Sequence, residues 1–185
     1  MNFLSLIISF AVSFALLLIA MTVHEFAHGA VAYRLGDSTA RLSGRLTLNP
    51  LAHIDPFWTI LLPLVLYLST AGRFVFGAAR PVPVNYWALK NPKRDMIWIG
   101  LAGPLANFVL AFIIAGILKF IPAQGITASL FINLLSINVV LAIFNLIPIP
   151  PLDGSKILMG LLPEQLSRLY AEFEGYGFII LFVFI

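Results

Sequence analysis

The chain has 185 residues, of which 61% are hydrophobic and only 10% charged, and its mean hydropathy is +1.00. So little polar side chain could not cover a water-soluble domain, so an integral membrane protein is expected and a soluble one excluded. The absence of cysteine removes disulfides, thiolate zinc sites and cysteine nucleophiles; the net charge of +3 comes from 11 Lys and Arg against 8 Asp and Glu, with the basic residues scattered in loops between apolar runs, which favours lipid headgroups over nucleic acid as their partners.

Residues Met1 to Ala20 carry no charge and continue directly into "MTVHEFAHGAVAYRLGD". With no basic residue ahead of the apolar run, this reads as an uncleaved span rather than a signal peptide. Residues 3 to about 33 form one helix candidate, long enough at about 1.5 Å per residue to cross a hydrocarbon core of roughly 30 Å. Arg34, Gly36 and Asp37 end it. Residues 38–56, "STARLSGRLTLNPLAHIDP", hold Gly44, Pro50 and Pro56, and the alternation in "RLSGRLTL" predicts a short membrane-associated strand pair over 41–48. Residues 57–71 are apolar but short for a crossing and carry Pro63. The Gly/Pro-rich stretch "GRFVFGAARPVPVNYWALKNPKRD" follows, in which "PVPVN" is too proline-dense for a helix. Two further spans are expected over 96 to about 121 and 126 to about 147, the second running into "NLIPIPPLDG". "SKILMGLLPEQLSRLYAEFEGYG" then reads as an interfacial amphipathic segment, and Phe178 to Ile185 opens an apolar run too short to span, as though a final helix were cut short. The expected fold is an all-α polytopic membrane protein, a single transmembrane domain over 1–185 without internal repeats.

The positive-inside rule places Arg34, Arg41 and Arg45 in the cytoplasm and the uncharged N-terminus outside. A full crossing by 57–71 would carry Arg73, Arg80, Lys90, Lys93 and Arg94 to the outside, so that segment is expected to enter and return. Irregular backbone at membrane depth needs protein or a water-filled cavity to satisfy its polar groups, so a cavity is implied. On this topology the two later spans bring Asp153 to the same side as His24 and His28.

His24 and His28 are four apart, so on a helix they share a face and can reach one metal. Glu25 follows the first of them, as in the H-E-x-x-H zinc pattern, where the glutamate serves as general base. Ionisable residues at membrane depth are expensive, which favours this reading over a pair of structural histidines. A catalytic zinc wants a third protein ligand. The candidates are His53, Asp55 and Asp153, with Glu164, Glu172 and Glu174 on the interfacial segment less suited. Asp153 stands out, because the proline-broken "IPIPP" could present it inward and Gly154 leaves room for close backbone approach. Asp55 before a proline reads as a turn or helix cap, and His53 as a turn histidine or a polar group beside the substrate.

"HEFAH" at 24–28, "AGPLAN" at 102–107 and "NLIPIPPLDG" at 145–154, in that order and on three apolar spans, resemble the site-2 protease family of intramembrane zinc metalloproteases. "NPLAHIDPF" and "GAARPVPVN" resemble its compact prokaryotic branch without a PDZ domain. The resemblance covers nearly the whole chain. It implies one Zn2+ per chain held by His24, His28 and Asp153, Glu25 as general base, and Asn145 helping to hold substrate or the oxyanion. Gly103 and Pro104 match a helix-packing motif with Asn107 on the same helix, and read as structural first.

The expected activity is hydrolysis of peptide bonds in or near transmembrane segments of membrane-protein substrates, by a multi-pass protein of the plasma membrane whose active site faces the cytoplasmic side. A substrate helix must unwind to be cut, and the strand pair or the "PVPVN" stretch is expected to offer it an edge. A membrane zinc transporter would want more ionisable residues along a continuous path, and a non-catalytic adaptor of the same fold would not need Glu25 beside two spaced histidines.

Overall fold

The computed structural model describes residues 3–72, 77–121 and 124–184, so Arg73 lies outside the described residues. The first helix, α1, runs Phe3–Arg34, and a single turn, α2, follows at Thr39–Leu42. A short apolar helix covers Pro56–Ser69, of which Leu62–Ser69 is α3. Then come α4 (Pro92–Phe120), α5 (Gly125–Asn145), α6 (Asp153–Leu161), α7 (Glu164–Glu172) and α8 (Gly177–Phe184). Among the described residues three helices are long and apolar enough to cross a membrane: Ile7–Arg34 within α1, α4, and α5.

Helix α4 is the hub, packing against α1, α5 and α6, while α1 also meets α5. Small side chains sit where the helices meet, with Ala20, Ala102, Ala111 and Ala142 buried, and large ones such as Leu4, Ile8, Phe112 and Val140 face outward. That distribution suits lipid, where apolar area gives no drive for helices to associate and close backbone approach does. Contacts of His28 with Ile99 and of Ala20 with Asn107 make α4 antiparallel to α1. Residues 35–91 therefore leave and return at one end of the bundle.

The strand pair expected over 41–48 is absent. Its place is taken by α2 and bends, in which Ser43 N donates to Thr39 O at 3.0 Å and Arg45 N to Ala40 O at 2.8 Å. The chain satisfies its polar backbone locally, and Gly44, at φ +68°, ends the turn in the left-handed region that glycine enters without strain. Alternation in "RLSGRLTL" thus marks no second strand: Leu46, beyond the turn, packs near Gly29 beside Ala40, while Leu42 and Leu48 lie exposed. The re-entrant segment is likewise not supported. Asp55 accepts hydrogen bonds from Phe57 N and Trp58 N, and Pro56 follows, so the apolar run begins as a capped helix; it is too short to count as a span. Residues 77–85 then run extended beside its start, with Ala78 N on Trp58 O at 3.1 Å and Arg80 N on His53 O at 2.8 Å.

Asp37, just past α1, ties this layer together. Its Oδ1 accepts from Thr39 N at 2.9 Å and Thr39 Oγ1 at 2.5 Å, and its Oδ2 from Asn85 N at 2.7 Å. Burial pushes its carboxyl up, but these hydrogen bonds outweigh that and hold it below the ordinary value of 3.8. Its stabilisation is fully present above that value and is lost as the pH falls through the lower native one. Asp37→Asn, which turns a donor toward donors, should cost about 1–3 kcal/mol at neutral pH in an unfolding titration in micelles, and the difference from wild type should shrink on acidification below the usual carboxylate range.

Candidate metal centre

The helical spacing of "HEFAH" stacks His24 and His28 on one face of α1, their rings edge to face with centroids 4.6 Å apart. Asp153, the first residue of α6, reaches both from the far end of the chain. Its Oδ2 lies 2.9 Å from His24 Nε2 and 3.0 Å from His28 Nε2, and all three residues are buried. Two glycines permit this convergence. A Cβ on Gly154 would sit 2.3 Å from Leu146 O and 2.4 Å from Ile147 O, so only glycine lets α6 start beneath the end of α5. A Cβ on Gly103 would lie 2.5 Å from His28 Nε2 and 2.6 Å from His24 Nε2, in the space the two nitrogens face.

The other ring nitrogens are already engaged. His28 Nδ1 lies 2.6 Å from Ile99 O, and His24 Nδ1 2.6 Å from Asn107 Oδ1. A neutral imidazole that donates from Nδ1 carries a lone pair on Nε2. With both rings in that tautomer, two lone pairs and a carboxylate oxygen face one another within 4.8 Å, an arrangement satisfied by a proton on an Nε2 or by a metal cation between them. A cation resolves that arrangement, and two imidazole nitrogens with one carboxylate oxygen is a donor set of catalytic zinc sites. The residues present therefore fit zinc. Lys156, one helical turn beyond Asp153, holds the other carboxylate oxygen at 3.1 Å, which turns Oδ2 toward the histidines.

The remaining sequence candidates fall into two groups. Glu25 borders the same cavity, its Oε2 accepting from Val82 N at 2.8 Å, and Asn145 lines it from the end of α5, its Nδ2 donating to Leu141 O at 2.9 Å. His53 lies elsewhere, buried, with Nε2 donating to Thr47 O at 2.9 Å, and Asp55 is the helix cap already described. Glu164 pairs with Arg168 on the exposed α7, where Glu172 also lies exposed, with Glu174 just beyond. The cavity encloses about 700 Å³ and is walled by α1, α5 and the extended stretch at 77–84. Sequence reasoning missed Lys156 and Asn138. A lysine at i+3 from a candidate ligand, and an asparagine within an apolar span, were the available signals.

The family profile described as Peptidase family M50 matches residues 12–131 and 121–185. Among curated proteins, "Putative zinc metalloprotease YwhC" of Bacillus subtilis (strain 168) is 41% identical over 176 residues, covering 90% of this chain and 76% of that protein. Rip2 of Mycolicibacterium smegmatis is 32% identical over 168 residues, covering 90% of this chain and 63% of Rip2. "Zinc metalloprotease MJ0392" of Methanocaldococcus jannaschii is 26% identical over 162 residues, covering 88% of this chain. The chain spans less than two thirds of Rip2 and 38% of MJ0392. No solved structure matches it. Gly103→Ala, which drives a methyl group into the space between the two Nε2 atoms, should leave a helical protein whose bound zinc falls to background in metal analysis after purification.

Proposed function

The chain belongs to peptidase family M50, the site-2 protease family of zinc-dependent metalloendopeptidases, and we propose that it hydrolyses peptide bonds in or near transmembrane segments of membrane-protein substrates. The observation that carries this reading is the convergence of three buried acceptors beside a glutamate at the wall of a cavity. His24, His28 and Asp153 would hold one zinc ion per chain. Zinc in such a site supplies a more acidic water and an electrophile for a carbonyl oxygen.

The chain's own residues do the rest. Glu25, one residue from His24 and with Oε2 pinned by Val82 N–H, keeps Oε1 to accept a proton from the attacking water. As the water oxygen bonds to the scissile carbon and the C–N bond breaks, Glu25 returns that proton to the departing amine nitrogen. Asn145 spends one amide hydrogen on Leu141 O and has a second to offer the substrate carbonyl oxygen. The apolar walls from Phe10, Phe14, Leu17 and Ile137 suit a substrate drawn from lipid, and keep bulk water from the reacting bond.

The protein is a multi-pass membrane protein by its three long apolar helices and its family. We place it in the plasma membrane with the site toward the cytoplasmic side, because Arg34, Arg41, Arg45, Lys90, Lys93 and Arg94 lie at the end of α1, the start of α4 and in the segment joining them, at the end of the bundle nearer the histidines. Glu25→Gln should retain zinc while cleavage of a transmembrane reporter in proteoliposomes falls by about 10²–10⁴-fold. Undiminished cleavage would remove Glu25 from its role, and zinc flux into the same vesicles without cleavage would favour a transporter.

A further inference from the structure

Two asparagines occupy the interior of the bundle, Asn107 on α4 and Asn138 on α5, each with no exposed surface. Burying an amide in a span is costly unless every donor and acceptor is satisfied, and here the partners form one directed chain. Asn138 Nδ2 donates to Leu134 O at 2.8 Å, which leaves its Oδ1 as the atom that faces Asn107. Asn107 Nδ2 donates to that oxygen at 2.7 Å and to Ala20 O at 3.1 Å. Both hydrogens of the Asn107 amide are thereby spent, and its Oδ1 is left facing His24 Nδ1 at 2.6 Å.

We propose that Asn138, which hydrogen-bonds to none of the three metal ligands, is a positioning residue for the zinc site: through Asn107, and together with Ala20 O, it holds the hydrogen of His24 on Nδ1 and so keeps the Nε2 lone pair for the metal. The proposal rests on the zinc reading given above. The chain has one sense because it begins at a helix carbonyl, which can only accept. Turning Asn138 over would set an oxygen against Leu134 O and an NH2 group against the Asn107 NH2 group. Turning Asn107 over would present an NH2 group to His24, move the imidazole hydrogen to Nε2 and close that nitrogen to zinc. His28 needs no such device, since its Nδ1 already meets the carbonyl of Ile99. Partners beyond the ligands commonly control metal affinity in this way.

The test removes the relay and then makes it unnecessary. Asn138→Leu removes the shorter of the two bonds that set the sense of the Asn107 amide and leaves Ala20 O alone to hold it, and should weaken zinc binding by about 10-fold. Adding Asn107→Asp to that variant supplies an oxygen to His24 whichever way the carboxylate turns, and should return the affinity to within a few-fold of wild type. Zinc affinity is read by competition with a chelating dye on the full chain in micelles, and in parallel as the rise in Tm caused by a fixed excess of zinc. A merely structural asparagine would lower the Tm of the metal-free protein and leave the zinc-induced rise unchanged. Should Asn138→Leu not purify, Asn138→Ala removes the same oxygen without added bulk. The proposal is overturned if wild type binds zinc and the single variant binds it equally well, or if the double variant stays as weak as the single. A wild-type protein with no zinc-induced rise would instead overturn the zinc reading itself.

Discussion

Three acceptor atoms brought together inside an apolar bundle set the terms for everything around them. With their lone pairs turned inward, His24 Nε2, His28 Nε2 and Asp153 Oδ2 call for a proton or a metal cation between them. Holding such a group in place takes rigid supports from every direction. Ile99 O and Asn107 orient the rings, Lys156 orients the carboxylate, and Gly103 and Gly154 remove the side chains that would keep the three apart. Much of the bundle's design follows from this one requirement: α4 passes close enough to α1 to offer a carbonyl and an amide, and α6 starts tightly beneath α5.

The packing that makes this possible is the inverse of a soluble core. Alanines and glycines meet at the helix crossings while leucine, isoleucine and phenylalanine point outward. Close backbones bring polar groups of different helices within hydrogen-bonding reach, and in a low-dielectric interior each of those bonds is worth more and each failure costs more. Asn107 illustrates both sides. It lies at the contact of α1, α4 and α5, and both its amide hydrogens and its oxygen are engaged by the three partners found there.

Much of this was legible in the sequence where the signal is local. Long apolar runs announce α1, α4 and α5, and an i, i+4 pair of histidines on a helix announces a shared face. Asp55 was readable as a cap because a proline follows it. Asp153 stood among several acidic and imidazole candidates and was favoured by the preceding "IPIPP" and by Gly154, whose close approach to Leu146 O and Ile147 O lets α6 start beneath α5. The strand pair failed for a physical reason: a single helical turn halted by Gly44 also alternates apolar and polar side chains, and its backbone finds partners within the turn. Lys156 and Asn138 went unnoticed because their meaning lies wholly in what they face.

The extended stretch at 77–85 carries one more implication. Pro81 and Pro83 have no backbone N–H, so across these three residues Val82 is the sole main-chain donor, and it is spent on Glu25. A slip of the segment by one residue in either direction would confront that carboxylate with a proline nitrogen that has no hydrogen to give. The alternation of prolines thus acts as a key with a single tooth: it admits one alignment of the strap against α1, and ties the aim of the glutamate to a segment nearly sixty residues away, with Val82 N donating across a separation of 57.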